Sequence, residues 1–295
     1  MNQFAFVCML LIFISCSTET EPITFEKPER LNGTFERIKN ISSDYISTPN
    51  IDVWLPPGYE KSGSTHYPVL YTHDGQFLFR DEGEQPRMPI WELDKTVTSL
   101  IESGTIEPII IVAIWKQEPR NNYFFPEKAL NLLDDATKQS VINQYGRLLS
   151  DEYLSFIVKE LKPYIDKTYH TKPEKEHTAI LGASAGGLIS LYAISEYPEV
   201  FGSAACMSSA WPALDNLAAR YFSNHLPDPA SHKLYFDYGT GEQSYRSGQE
   251  LINLSCIKSG YTPRNFISNI FEGHNHSSEY FKARVNIPLT FIFGN

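Results

Sequence analysis

The segment Gly182-Ala183-Ser184-Ala185-Gly186 has the residue types and the spacing of a nucleophilic serine turn. It matches the pattern G-x-S-x-G and lies between a predicted strand at residues 177–181 and a predicted helix at 187–197. Such a turn projects the serine hydroxyl out of the fold, and the flanking glycines let strand and helix pass closely without a Cβ clash. A glycine-rich strand-helix turn without catalysis is the alternative, and the strand-helix context favours the nucleophile.

A serine hydroxyl needs a base before it can attack a carbonyl group. His276 follows a predicted strand at residues 266–271, close to the C-terminal end, where the chain order serine, acid, histidine requires the base. His274, two residues earlier, is the competing candidate. A His-x-His pair also occurs in metal sites, but no third ligand accompanies it in the sequence, so we predict no metal.

The orienting acid should follow the predicted strand at residues 234–238. Glu242 lies in the loop after the carboxyl end of that strand, where active sites of open α/β sheets form. Asp237 lies inside the strand, where an acidic residue is ordinarily a hydrogen-bond acceptor. We therefore predict that Glu242 fixes the histidine tautomer and stabilises the imidazolium, with Asp237 as the alternative.

An acyl-transfer site also needs two backbone N–H groups directed at the carbonyl oxygen. Ala185, the residue after the nucleophile, should supply one of them. The second should come from Gly75-Gln76, in the loop after a predicted strand at residues 67–72. Gly75 allows a close approach of the backbone, although an ordinary turn also uses glycine.

The elements that must position these residues alternate along most of the chain. Further strands are predicted at residues 33–41, 45–55, 109–114 and 201–207, and helices at 93–103, 151–169 and 249–259, with a kink or shortening at Pro163. Residues 116–146 are expected to be irregular and to cover the top of the sheet. Alternating strands and helices predict a mainly parallel central sheet with helices on both faces, and the early strands predict an antiparallel edge.

These residues resemble the putative esterase family of α/β-hydrolases, which includes esterase D and the enterochelin, feruloyl and acetyl-xylan esterases and the mycolyltransferases. The resemblance extends from about residue 53 to the end. The matching segments are Tyr67-Pro68-Val69-Leu70-Tyr71, Asp74-Gly75-Gln76, Trp91 with Asp94, Glu160-Leu161-Lys162-Pro163-Tyr164-Ile165, the serine turn, and Gly273, His276, Phe281 and Arg284. It implies an α/β-hydrolase fold and ester hydrolysis, and it favours His276 over His274. Ala185 replaces a frequent methionine and Phe281 the usual tryptophan, which leaves the chemistry intact.

The composition is typical of a globular domain. The 295 residues are 42% hydrophobic and 20% charged, and 25 basic against 35 acidic residues give a net charge of −10. This balance argues against a nucleic-acid partner, which normally meets a basic patch. The sequence contains no phosphate-binding or dinucleotide pattern, so no cofactor is implied. Cys206 and Cys256 are expected to be two buried small apolar residues, with a disulfide between them in an exported protein as the alternative.

The first residues have the pattern of a targeting segment. An apolar run at residues 4–14 precedes Ser15 and Cys16, and Phe13-Ile14-Ser15-Cys16 resembles the lipobox of bacterial lipoproteins. We predict a signal peptide at residues 1–15, a lipid anchor at Cys16, a polar tether at 16–30 and the esterase domain at 31–295. The expected location is the bacterial cell envelope, facing the periplasm or the exterior, with the membrane reached only through that anchor.

Aromatic side chains are expected to overhang the site. Trp115 and Trp211 each follow a predicted strand and could form a platform for a sugar ring or an aryl acyl group, and Arg120 could contact an anionic group. We predict a serine carboxylic-ester hydrolase that acts through an acyl-enzyme on an acylated carbohydrate or another small ester. An acyltransferase, a siderophore esterase and a catalytically silent envelope binding protein remain the alternatives.

Overall fold

The fold is built on one mixed β-sheet that passes through the middle of the domain. The computed structural model describes the backbone of Ile23–Thr24 and residues 33–39, 41–79 and 90–294. Within these residues the sheet has nine strands in the order β1-β2-β3-β5-β4-β6-β7-β8-β9. They are β1 Ile23–Thr24, β2 Thr34–Ile38, β3 Ile51–Leu55, β4 Val69–Thr72, β5 Ile110–Ile114, β6 Thr178–Ala183, β7 Ser203–Met207, β8 Lys233–Gly239 and β9 Phe266–Phe271.

Strand directions divide the sheet into two parts. Strands β1, β2, β3 and β5 pair antiparallel in succession. From β5 through β4, β6, β7, β8 and β9 all pairings are parallel. The predicted antiparallel N-terminal edge and parallel centre are therefore confirmed. The carboxyl ends of β4, β6, β7, β8 and β9 lie along one edge, which is where a site in an open α/β sheet forms.

Helices cover both faces of the sheet, as predicted. Alternate residues of each strand point to opposite faces, so Tyr71 and Val112 join one hydrophobic core and Leu70 and Ile111 join the other. The first core is covered by α2 Arg120–Phe124, α4 Ser150–Phe156, α5 Lys162–Thr168, α6 Ala185–Glu196, α7 Leu217–Phe222 and α8 Arg246–Ser259. The second core is covered by α1 Leu93–Glu102, α9 Ser278–Arg284 and α10 Asn286–Phe293.

The predicted helix at residues 151–169 forms without a break, but its middle is wound differently. A π-helical turn, Ile157–Leu161, joins α4 to α5 just before Pro163. Proline has no N–H to donate to the carbonyl four residues earlier, as an α-helix requires. In a π-helical turn the hydrogen bonds span five residues instead of four, so the bonding pattern next to the proline differs from that of an α-helix. The apolar face nevertheless stays continuous, because Leu154, Ile157 and Leu161 are all fully buried.

The connection at residues 116–146 is mostly helical, so the expectation of an irregular segment was wrong. It contains α2, a 3-10 turn at Glu127–Leu132 and α3 Asp135–Tyr145. Helix α3 has no buried residue, which explains why hydrophobic periodicity could not reveal it. Its start is defined instead by Asp134, whose carboxylate accepts from the Thr137 N–H at 2.9 Å.

The predicted tether is partly structured. Ile23–Thr24 pairs with β2 within the segment that we assigned to the tether, because its β-branched residues suit a strand. The predicted signal peptide and Cys16 lie outside the described residues. None of the helices in the described part of the chain has the length and hydrophobicity needed to cross a membrane. Cys206 and Cys256 are buried free thiols.

Trp211 belongs to the core, which corrects its assignment to the substrate platform. Its side chain is 1% exposed and packs against Phe222 and Phe236. The indole N–H donates to Gln249 Oε1 at 2.9 Å. A Cβ at Gly248 would lie 2.3 Å from Trp211 Cβ, so this glycine makes room for the indole. The sequence could place Trp211 after β7, but only the packing shows that it points inward.

We expect the Trp211→Phe substitution to lower the free energy of unfolding by about 1–3 kcal/mol, because it leaves the buried Gln249 carbonyl oxygen without its donor. Urea unfolding measures this change. Gln249→Leu alone also removes the amide's hydrogen bonds to Asn253 and Ser268, but the double variant Trp211→Phe/Gln249→Leu should lose less than the sum of the two single losses, because the indole–amide bond is counted in both. If the two substitutions are simply additive, the hydrogen bond does not contribute as described.

Candidate active site

The serine turn has the strained geometry that its sequence predicts. Strand β6 ends at Ala183, helix α6 begins at Ala185, and Ser184 between them has φ 61° and ψ −125°. A Cβ at Gly182 would lie 2.3 Å from the Gly186 carbonyl oxygen, and a Cβ at Gly187 would lie 2.5 Å from Ser209 Oγ. Position 182 therefore needs glycine, because the Gly186 backbone cannot move aside. At position 187 the nearest atom belongs to a serine side chain, and the closest backbone atom is Ser209 Cα at 3.2 Å, so the fit there is tight rather than impossible.

Backbone hydrogen bonds hold the strained serine in place. The Ser184 N–H donates to the Met207 carbonyl at 3.0 Å, and the Ser184 carbonyl accepts from the Ala210 N–H at 3.0 Å. Both partners lie at or just after the end of β7. The N-terminus of α6 also directs its positive dipole end at this residue, which favours negative charge at the reacting centre.

His276 and Glu242 are hydrogen-bonded to each other. His276 Nδ1 lies 2.6 Å from Glu242 Oε1. The Glu242 side chain is 1% exposed, whereas that of His276 is 33% exposed. Because Nδ1 is occupied by the carboxylate, Nε2 is the ring nitrogen that remains for another partner. The loops after β8 and β9 supply these two residues, as the sequence analysis expected.

The second oxygen of Glu242 is held from two sides. Glu242 Oε2 accepts from the Gly239 N–H at 2.5 Å and from Ser208 Oγ at 2.8 Å. Burial alone would raise the pKa of Glu242, but these hydrogen bonds and the one with His276 outweigh it and lower the pKa. The carboxyl group is therefore ionised at neutral pH. Ser208 was not singled out in the sequence, where nothing distinguishes it from other serines after a strand.

Asp237, the alternative acid, has a different set of partners. Its side chain is fully buried, and it accepts from the Ser208 N–H at 3.1 Å and the Tyr235 hydroxyl at 2.9 Å. Arg284 Nη2 lies 3.1 Å from Asp237 Oδ1 and donates to Ser208 Oγ at 2.5 Å. Burial raises the pKa of Asp237 to about 6, although Arg284 opposes this shift. Asp237 thus neutralises a buried arginine that also supports the Ser208–Glu242 contact.

The His274 side chain contacts two aromatic rings and Arg284, whose Nη1 lies 3.5 Å from His274 Nδ1. Its ring packs against Phe271 and Tyr280, with ring centroids 5.3 Å and 4.4 Å apart. Its carbonyl oxygen accepts from the Gly241 N–H at 2.9 Å. The loop therefore uses the backbone of His274 for structure, and the structure pairs His276 with the acid.

Tyr245 connects the serine with the histidine. Its ring lies 5.1 Å from the His276 ring, centroid to centroid. Burial raises the pKa of Tyr245, and a hydrogen bond between its phenol and the Ser184 side chain opposes that rise. Tyr245 therefore places Ser184 and His276 around one side chain. Tyr245 was not among the predicted site residues; its position three residues after Glu242 is the signal in the sequence that could have indicated it.

The predicted oxyanion donors lie around the serine turn. Gly75 and Gln76 begin a 3-10 turn after β4, and Ala185 begins α6. A Cβ at Gly75 would lie 2.7 Å from the Ala113 backbone, so this residue must be glycine. Within the described ranges, the backbone N–H groups of these three residues have no hydrogen-bond acceptor. They are therefore free to donate to a substrate oxygen.

Two predicted substrate contacts are already engaged with protein groups. Arg120 donates from Nε and Nη2 to the two carboxylate oxygens of Asp74, at 2.7 Å and 2.6 Å. It is therefore not a free cation awaiting an anionic group. Trp115 is partly buried beside Gly75, and its indole N–H donates to Asp52 at 2.7 Å. Of the two tryptophans assigned to a platform, only Trp115 remains near the site.

His73 is a buried histidine behind the serine turn. It is 2% exposed, its Nδ1 lies 2.8 Å from the Tyr153 hydroxyl, and its Nε2 has no partner among the described residues. Burial, together with the charge of Arg120, lowers the pKa of His73 from 6.5 to about 3. The ring is therefore neutral at physiological pH. Within the described residues no group of three or more potential ligands converges on a metal position.

We expect His73 to contribute to acid unfolding. The unfolded chain binds a proton at His73 below pH 6.5, whereas the folded protein resists protonation until about pH 3, so stability falls as the pH decreases through this window. The His73→Gln variant should lose less stability than the wild-type protein between pH 7 and pH 4.5, as measured by urea unfolding. The exposed His66→Gln variant serves as the control. Equal losses in wild type and His73→Gln would contradict this account.

The sheet, the strained serine turn, and an acid and a histidine after successive strands define an α/β-hydrolase fold. Residues 42–286 match the family described as Putative esterase. The chain belongs to this family, as the sequence analysis predicted. Membership supports hydrolysis of carboxylic esters.

Two curated relatives and two solved structures illustrate the similarity. YbbA, an uncharacterized protein of Bacillus subtilis, is 24% identical over 86% of this chain and 96% of its own length. An endo-1,4-beta-xylanase/feruloyl esterase of Xylanibacter ruminicola is 26% identical over 83% of this chain but only 29% of its own length. A ferulic acid esterase structure has a TM-score of 0.65 at 18% identity, covering 89% of this chain and 98% of that one. The enterochelin esterase of Shigella flexneri has a TM-score of 0.58 at 16% identity, covering 82% and 54%.

Proposed function

We propose that this protein is a serine esterase in which Ser184, His276 and Glu242 form a catalytic triad. The observation that carries the proposal is the 2.6 Å hydrogen bond between His276 and the buried Glu242, next to a serine held at φ 61°. In this arrangement Glu242 fixes the tautomer with the proton on Nδ1, and Nε2 is left to accept the serine proton. A deprotonated Glu242 suits this role.

The reaction has two steps on this site. Ser184 Oγ attacks the ester carbonyl carbon while His276 Nε2 takes the hydroxyl proton, and the oxygen that becomes negative accepts from the N–H groups of Ala185 and of Gly75 or Gln76. The intermediate then expels the alcohol, which receives the proton from His276, and an acyl-enzyme remains. Water attacks that ester in the same way, which releases the acid and restores Ser184.

For the substrate we propose an ester of a carbohydrate or another small alcohol. Support comes from a relative whose name combines xylanase and feruloyl esterase and from two half-buried aromatic rings, Trp115 beside Gly75 and Tyr245 beside His276. A strongly anionic siderophore ester would gain no long-range attraction from a protein of net charge −10. A panel of acetylated, feruloylated and siderophore esters, with sugars added as acyl acceptors, separates hydrolysis from acyl transfer.

We expect Ser184→Ala and His276→Gln each to lower kcat on a short-chain aryl ester by at least about 10³-fold, and Glu242→Gln by about 10³- to 10⁴-fold. His274→Gln is the matched control and should lower kcat by less than about tenfold, because the His274 side chain contacts Phe271, Tyr280 and Arg284 rather than Glu242. Labelling with a fluorophosphonate should require Ser184. Persistent labelling or turnover in Ser184→Ala would disprove the proposed nucleophile, and a wild-type protein inactive on the whole panel would favour a silent binding protein.

We also propose that a lipid on Cys16 anchors the protein in the cell envelope. The support is the sequence alone: an apolar run, a small residue and then the cysteine, followed by a polar segment. In a bacterial host, the full-length protein should then sediment with membranes and incorporate a labelled fatty acid. The Cys16→Ser variant should do neither. Equal membrane association and equal labelling of the two proteins would refute the anchor.

A further inference from the structure

One arginine contacts both segments that supply the predicted oxyanion donors. Arg120, the first residue of α2, forms a two-pronged ion pair with Asp74, at 2.7 Å and 2.6 Å. Asp74 directly precedes Gly75 and Gln76. The same Nη2 atom of Arg120 also donates to the Ala183 carbonyl at 3.3 Å, and Ala183 directly precedes Ser184. The guanidinium therefore lies between the loop after β4 and the serine turn.

The backbone at Asp74 needs an external constraint. Asp74 has φ 58° and ψ 39°, a left-handed conformation that disfavours most residues. This conformation sets the direction of the peptide N–H groups that follow, at Gly75 and Gln76. The carboxylate makes no hydrogen bond to the N–H groups of its own turn in the described structure, so the contact with Arg120 is what fixes its side chain.

The environment favours a rigid pair. The Arg120 side chain is 24% exposed and that of Asp74 is 16% exposed, so water screens the pair only partly. The guanidinium carbon lies 4.9 Å from the centre of the Phe124 ring, which covers one face of the group. Two parallel hydrogen bonds between planar groups define an orientation as well as a distance. A lysine ammonium would keep the charge but not that geometry.

We propose that Arg120 is a positioning residue that fixes the distance between the oxyanion donor of Ala185 and those of Gly75 and Gln76. The inference rests on the proposed serine esterase function. It replaces the expectation that Arg120 binds an anionic substrate group. Donors act on the negative oxygen only when they lie about 2.7–3.1 Å from it, and a displacement of about 1 Å can cost about 100-fold in rate.

This role makes a prediction about which kinetic constant changes. The oxyanion exists only after attack, so loosening the donors weakens the transition state more than the substrate complex. Arg120→Met, Arg120→Lys and Asp74→Asn should each lower kcat on neutral p-nitrophenyl acetate about 10- to 100-fold, with KM changed less than about threefold. Arg120→Lys should lose less than Arg120→Met. The rate of inactivation by a neutral fluorophosphonate should fall in parallel, because phosphonylation uses the same donors.

The control is Lys172→Met, which removes a partly exposed ion pair with Glu107. Lys172 and Glu107 precede the amino ends of β6 and β5, opposite the carboxyl ends where the site lies, so kcat should stay within about twofold. Thermal unfolding confirms that each variant is folded, and Arg120→Lys and Asp74→Asn decide the question if Arg120→Met does not fold. If those variants keep the wild-type kcat and the wild-type rate of inactivation by the fluorophosphonate while Ser184→Ala is inactive, the positioning role of Arg120 is wrong and the serine esterase function stands. A raised KM confined to an anionic hemisuccinyl ester would instead make Arg120 a substrate contact. A wild-type protein that neither turns over esters nor reacts with the fluorophosphonate would overturn both proposals.

Discussion

The site depends on one strained residue at the centre of the sheet. Ser184 keeps φ 61° because β6 is hydrogen-bonded on both sides and because glycine at position 182 removes a clash with the Gly186 backbone. The turn then fixes everything around it: the first N–H of α6 lies next to the hydroxyl, and the chain after β7 is bonded to the serine backbone. An alanine at Gly182 would place a Cβ inside the Gly186 peptide group, and the turn could not close.

The two buried carboxylates of the site are stabilised because a buried arginine lies beside both of them. Glu242 and Asp237 are both almost completely buried, and one buried arginine lies between them, 3.1 Å from Asp237 and 3.9 Å from Glu242. Two uncompensated carboxylates this deep would not both ionise. Arg284 and the Ser208 hydroxyl let Glu242 remain ionised for His276, while Asp237 supports the arginine. The two acids that the sequence offered as alternatives therefore have complementary positions in one network.

Several elements could be predicted because their sequences show a local pattern of apolar residues. The continuous β-branched run at β5 predicted a strand buried on both faces, which the two hydrophobic cores confirm, and the parallel order follows from alternating strands and helices. Helix α3 was missed because it buries nothing, so no apolar period marks it. Trp211 was misplaced because a tryptophan after a strand can point toward solvent or toward the core, and the choice is made by Gly248 and Gln249, which come from α8.

The sequence by itself determined the glycine-flanked serine turn, the fold class and the chain order of Ser184, Glu242 and His276, since each depends on neighbouring residues and on conformations that few residue types allow. Only the tertiary structure decided which carboxylate contacts His276, that Tyr245 neighbours both His276 and Ser184, and that Arg120 pairs with Asp74. The sequence separations are 34 positions between Glu242 and His276, 61 between Ser184 and Tyr245, and 46 between Asp74 and Arg120. Local preferences carry no information about such distances; the register of the parallel strands sets them by bringing the loops at their carboxyl ends together.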